Sequence, residues 1–359
     1  MMVAMTILRT FLMPALLAAT GLWLAAGASA ASTVQPAEAE CLIPSKPGGA
    51  MDLTCKLAVH ALDDARAADK AAMPGLAVPG PAVPRLKLSY LPGGIGAVAW
   101  HTLVSQRRTE ANTLVAFSGG SLLNLAQGKF GKAGPDDVRW VAALGADYGM
   151  IAVRADSPYR SLKELVAALR RDPQRVLVGM SGTIGSQDWM KMALLARLAG
   201  IDPRKLRFVA LEGGGETFTA MQADYVQVVS GDVSEAALYA GPGKVRVLAV
   251  LSETRLPGVL AGVPTAREQG YDLVWPVIRG LWMGPGVADA DYRRWVAAFE
   301  RVQADPGFAR RREQAGLYPF SLAGDALARY IKQAVVHYNH LAREFNLVRE
   351  RQGDTATGH

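Results

Sequence analysis

Apolar runs of strand length alternate with segments of helical periodicity along almost the whole chain, which predicts an α/β fold with mainly parallel sheets. Residues 42–44 open as a short strand, 45–50 form a loop, and Leu53, Leu57 and Ala61 then recur at helical spacing. Residues 71–84, rich in Ala, Pro and Gly, read as a surface loop, and 86–90 as a strand. Residues 138–153 carry two strand-like runs. Being continuous and apolar, they are a candidate crossing between domains, with residues 275–283 as the return. Ser161 and Glu164 make a capping box ahead of an apolar face formed by Leu162, Leu165, Val166 and Leu169. Strands at 176–178, 208–211, 225–229 and 245–251 and helices at 186–198 and 217–223 continue the alternation. The C-terminal part is helical, and residues 351–359 read as a disordered tail.

The N-terminus changes the picture. Arg9, an apolar run over residues 11–24 and the small residues Ala28-Ser29-Ala30 match a cleaved secretory signal, so the mature chain is expected to begin near Ala31. An uncleaved anchor is the alternative. About 330 residues would remain, enough for two domains of ordinary size. The formal charge of +7 is spread along the chain among acids, which excludes a nucleic-acid stripe and leaves at most a mild attraction for small anions. In an exported protein Cys41 and Cys55 read as a disulfide, worth roughly 3 kcal/mol in the chain-entropy model. Two free buried thiols are the other reading.

Three loops share one design, in which a strand ends, small residues turn and a helix begins: residues 46–49, 118–121 and 182–186. Such junctions gather at the carboxyl ends of strands, and the helix start offers N–H groups and positive charge to a carboxylate or phosphate. Turn chemistry alone also explains any single loop of this kind. Enzyme motifs fail. Gly94-Ile95-Gly96 opens a relaxed dinucleotide fingerprint without its acidic partner, Gly179-Met180-Ser181-Gly182 lacks the spacing of a nucleophile elbow, and no Walker lysine follows a glycine loop. His337 and His340 lack a third metal ligand, so a solvated helix face is preferred and no cofactor is expected.

The segment from Cys41 to Cys55, with Lys46-Pro47-Gly48-Gly49 at its centre, resembles the opening motif of the extracytoplasmic receptors of tripartite tricarboxylate transporters, the TctC or Bug family. The resemblance continues at residues 90–97, 116–130, 147–158, 184–189, 212–216, 228–232 and 275–280, so it covers nearly the whole mature chain. It is nearest to the tricarboxylate-binding branch. The family's first loop, Pro-x-Gly-Gly-x-x-Asp, fits only after a shift, because Pro47 lies directly before the glycine pair while Asp52 keeps its place.

That resemblance implies a two-lobed periplasmic-binding-protein fold of type II character, with two crossing segments and a ligand cleft between the lobes. Lobe 1 would comprise residues 40–146 plus 277–350 and lobe 2 residues 147–276. It further implies a monomeric periplasmic receptor that captures a di- or tricarboxylate, citrate-like, and delivers it to a membrane permease with one large and one small subunit. A receptor serving a signalling system, or a periplasmic enzyme, would be the alternatives. The expected ligand-binding residues are Lys46, Gly48, Gly49, Asp52, Ser118, Ser121, Thr183, Gly185, Ser186, Gln187, Asp188, Asp232 and Arg279. Lys46 and Arg279 are the expected cationic partners, Arg because its planar fork donates two parallel bonds. Asp188 stands where many amino-acid-binding relatives carry His. It would repel an anion unless it caps its own helix or pairs with a cation.

Overall fold

The computed structural model describes residues 38–72, 85–239 and 243–348; the expected signal sequence, most of the expected loop at 71–84 and the expected tail at 351–359 lie outside them. Strand β1 (Ala39–Ile43) leads into helix α1 (Ala50–Ala72), and β2 (Leu86–Tyr90) pairs parallel with β1. A short helix α2 (Ala97–His101) precedes β3 (Thr113–Ser118) and α3 (Gly119–Ala126). The 16-residue β4 (Arg139–Arg154) follows. After it come α4 (Leu162–Arg171), β5 (Leu177–Ser181), α5 (Gln187–Leu198), β6 (Arg207–Leu211), α6 (Gly214–Gln222), β7 (Val228–Asp232), α7 (Val233–Tyr239) and β8 (Val245–Val250). Strand β9 (Pro276–Met283) and helices α8 (Asp289–Ala304), α9 (Pro306–Gln314) and α10 (Gly324–Glu344) complete the chain.

Two portions of sheet meet in β4. Its first ten residues pair antiparallel with β9, which continues through β3 to β1 and β2. Its last six pair antiparallel with β7 and β8, and β7 continues to β5 and β6. The predicted crossing at 138–153 is therefore one long strand shared by both portions. Register shifts at Trp140/Ala142, Ala143/Gly145 and Ile151/Ala152 mark where it bends, as inserted residues do in antiparallel pairs. The return lies at Trp275, which still exchanges bonds with Gly149 and Leu251 before β9 joins the first portion. Mainly parallel pairing is corrected here: β1 pairs parallel with β2 and β3, and β5 with β6 and β7, but every pair made by β4 and β9 is antiparallel. A chain that crosses over and returns must run its crossing strands in opposite directions.

The local signals explain the helices. Ser161 accepts from Glu164 N–H at 3.2 Å and starts α4, and Ser186 accepts from Trp189 N–H at 3.3 Å and starts α5. Helix α6 begins at Gly214, inside the predicted glycine loop, and β7 runs on to Asp232 through the predicted turn. Cys41 and Cys55 are bonded, with Cα atoms 5.6 Å apart, so β1 is tied to α1 on either side of the loop between them. One apolar cluster around Cys41, Leu57, Trp295 and Phe299 supports the first portion, and another around Met150, Phe218 and Val229 supports the second. Among the described residues, no helix is long and apolar enough to cross a membrane.

Candidate functional site

The strand ends of both portions face one another across a cavity of about 70 Å³. From the first portion come Pro44, Ser45, Gly49, Ala50, Met51, Ile95, Ser118, Gly120, Asn124 and Arg279; from the second come Ser181, Ser186, Gln187, Asp188, Glu212, Gly213, Gly214, Asp232 and Glu235. Ile95 adopts a φ of 55°, a strained conformation for a β-branched residue, and Asn124 Nδ2 donates to its carbonyl at 3.2 Å. Gly182, at φ +85°, turns directly beneath it: a Cβ there would lie 2.8 Å from Ile95 Cδ1.

The floor of the cavity, where Asp188, Asp232 and Arg279 line it, belongs to a row of five buried charges completed by Asp147 and Lys191 behind them. Arg279 Nη2 donates to Asp147 Oδ2 at 2.5 Å and to Asp232 Oδ2 at 2.7 Å. Lys191 Nζ donates to Asp232 Oδ1 at 2.8 Å and to the Gly231 carbonyl at 2.6 Å, and lies 2.7 Å from Asp188 Oδ1. The signs thus alternate, three carboxylates against two cations, all within a few per cent of complete burial. Gly149 makes room for this row, since a Cβ there would lie 2.5 Å from the Lys191 stem. Ser234 secures Asp147 through its hydroxyl at 2.6 Å, and Ser181 N–H donates to Asp188 Oδ2 at 2.8 Å.

These contacts set the ionisation of the row. Burial pushes Asp232 upward, but Lys191 and Arg279 on either side overcome it and hold the carboxyl below its ordinary range. Burial raises Asp147 and Asp188, each having a single close cation to oppose it. Burial works against both cations too, yet the flanking carboxylates keep Lys191 and Arg279 firmly protonated. Such a row is worth little as net stability when intact, but removal of one member leaves a buried charge unpaired.

Three residues that line the cavity carry a buried atom without a hydrogen-bond partner, Arg279 Nη1, Gln187 Oε1 and Asp188 Oδ1, and the last of these faces Lys191 Nζ at 2.7 Å. The Gln187 amide nitrogen donates to Asp232 Oδ2 at 2.8 Å, which turns its oxygen away from that carboxylate. One N–H donor on a cation and one amide acceptor are therefore left unpaired on residues that line the cavity from its two sides. Among the described residues, no group of three His, Cys, Asp or Glu is placed to hold a metal ion.

Of the residues expected from the sequence, Gly49, Ser118, Ser186, Gln187, Asp188, Asp232 and Arg279 line the cavity, and the other six do not. Lys46 is half-exposed and pairs with Glu216 of α6 at 2.7 Å. Asp52 organises the first loop instead, accepting from Gly48 N–H at 2.9 Å, Lys56 at 2.7 Å and Tyr90 at 2.8 Å. Gly48, at φ +90°, accepts at its carbonyl from Tyr239. Ser121 closes a capping box with Ser118, Thr183 is exposed, and the Gly185 carbonyl accepts from Gln127 at 2.7 Å. Asp188 pairs with a cation, the second of the two arrangements under which it would not repel an anion. Lys191, Asp147 and Glu235 were not expected. Asp147 and Lys191 are charges set among apolar residues, the same signal that singles out Arg279.

A family model described as the tripartite tricarboxylate transporter family receptor matches residues 129–347. A relative from Cupriavidus necator, the UPF0065 protein in the gbd 5′ region, is 24% identical over 200 residues, covering 55% of this chain and 59% of that protein. The matches to curated relatives span about three-fifths of those proteins' length. Among solved structures, the periplasmic binding protein BugD superposes with a TM-score of 0.74 at 17% identity, covering 87% of this chain and 99% of that one. MatC from Rhodopseudomonas palustris, with bound malate, gives 0.70 at 19%, covering 85% and 98%. Likeness at these identities establishes the fold as that of the two-lobed periplasmic binding proteins.

Proposed function

Because this chain belongs to the tripartite tricarboxylate transporter family of receptors, we propose that it is a periplasmic receptor that closes over a small hydroxylated di- or tricarboxylate, with malate and citrate as the reference compounds. The observation that carries this reading is that Arg279 Nη1 and Gln187 Oε1, on residues that line the cavity, are buried with neither a hydrogen bond nor an ion-pair contact of their own. Arg279 Nη1 is a charged donor suited to a carboxylate oxygen, and Gln187 Oε1 is an acceptor suited to a hydroxyl. A buried polar atom without a partner costs about 1–3 kcal/mol, so a ligand that satisfies both is favoured over one that satisfies neither. The malate bound by MatC agrees in chemistry with this pair.

The lobes would be residues 40–146 plus 277–350 and residues 147–276, with β4 and the segment at Trp275 as the crossings. The cavity is lined from both sides, so a ligand touches both lobes only when they are closed, and binding shifts the population toward that form. The closed monomer would then hand its ligand to a membrane permease of one large and one small subunit.

A thermal-shift screen against malate, citrate, adipate and a set of amino acids tests the reading. A ligand at about one hundred times its dissociation constant adds about 2.7 kcal/mol of apparent stability. Malate or citrate is expected to raise the melting midpoint. A response to neutral solutes alone would refute the carboxylate assignment.

A further inference from the structure

Glu235 is a buried acid of the cavity wall for which nothing above supplies a role. Its Oε1 accepts from Ala50 N–H, at the start of α1 in the other portion of the molecule, at 3.0 Å. Its carboxyl also fills the space above Gly214, where a Cβ would lie 2.1 Å from it, so α6 must begin with glycine to admit it. Both cations of the floor are committed elsewhere, Lys191 to Asp188 and Asp232 and Arg279 to Asp147 and Asp232. The floor already carries one more carboxylate than cations. An ionised Glu235 would add a further negative charge facing any bound anion.

We propose that Glu235 reads the ligand as a neutral acid: in the closed form its hydroxyl donates a hydrogen bond to an oxygen of the bound carboxylate beside Arg279 Nη1, so that ligand and proton are captured together. This rests on the carboxylate reading of the same site. Oε1 keeps its bond from Ala50, and the proton sits on the second oxygen, which leaves every named contact intact. The only bond formed is the O–H of Glu235, made with one proton that solvent or buffer gives up as the lobes close.

The surroundings of Glu235 support that state. Burial comes first, then Asp232 on β7; Asp188 on α5 and Asp147 on β4 act in the same direction, Arg279 on β9 and the Ala50 N–H oppose them, and the carboxyl is pushed up to about 8. Tyr239, one turn further along α7, is itself raised by burial and by Glu235. Helix α1 contributes the Ala50 N–H. At the start of α6, Glu216 is held low by Lys46, and Glu212 is exposed. With the lobes open, Glu235 would be hydrated and its carboxyl would move down from its closed-form value toward the ordinary carboxylate range. The sign follows. Below the open-form value the proton is present in both forms and binding takes up none; above it, closure takes up one proton, and affinity falls as pH rises, about tenfold per pH unit, until the closed-form value is reached.

Isothermal titration of the purified receptor with malate and with citrate, in two buffers of different ionisation enthalpy at about pH 6.5, counts the protons. About one proton taken up per ligand by the wild type, abolished in Glu235→Gln together with the pH dependence of affinity, is the expected result. Binding without proton uptake, or uptake that persists in Glu235→Gln, overturns the proposal and leaves the carboxylate reading standing. Failure of every carboxylate to bind at any pH overturns both. Should Glu235→Gln not fold, the ligand-bound wild type is examined for the infrared carbonyl band of a buried neutral acid, and its absence overturns the proposal.

Discussion

The rim and the floor of the cleft are both joined by ion pairs, yet the two sets differ in kind. At the rim, Lys46 meets Glu216 with both side chains largely in water, and Tyr239 touches the Gly48 carbonyl. On the floor, Arg279 and Lys191 are fully buried and share Asp232 between them. Water screens the first set, so it can break and reform as the lobes part. The second set cannot be hydrated without opening the core and cannot lose a member without stranding a charge. The cavity therefore sits between contacts made for opening and contacts made for permanence. Arg279 belongs to the permanent set and still offers one nitrogen to the ligand.

Substitutions on the two sides should separate these roles. Lys191→Met leaves Asp188 and Asp232 facing one another in the core and is expected to cost about 3–5 kcal/mol, read as a fall in denaturation midpoint. A cost below about 1 kcal/mol would show the floor to be hydrated. Next in size is the brace beside the first loop. Cys41→Ser with Cys55→Ser should cost about 2–4 kcal/mol by the same measurement. The smallest effect is expected at the rim, where Lys46→Ala should leave the melting midpoint unchanged in high salt. Its mark should fall instead on the ligand dissociation rate at low salt, measured by stopped flow, because it loosens the closed form only. A large loss of stability there would place the rim with the floor.

Most of the architecture was legible because it depends on local signals. The caps at Ser161 and Ser186 mark where α4 and α5 begin, and the long apolar run at 138–153 becomes the shared strand. The direction of pairing was not legible, since period-two patterning is the same for parallel and antiparallel neighbours. The site was read through its loops and its most visible cation. Lys46 and Arg279 look alike as basic residues beside site motifs, but one lies on a solvent-facing loop and the other in a strand buried on both faces. The partners of Arg279 escaped notice because they come from β4 and β7, 132 and 47 residues away. Long-range charge pairing leaves no spacing in the chain. What it does leave is a charge set among apolar residues, as at Asp147 and Lys191.

The most direct test is a crystal structure of the receptor with whichever carboxylate raises its melting midpoint most. A ligand carboxylate oxygen on Arg279 Nη1 and a ligand hydroxyl on Gln187 Oε1, with the lobes closed over both, is the result expected. A ligand bound outside the cleft, or inside it with Arg279 Nη1 still unpartnered, would contradict the central claim.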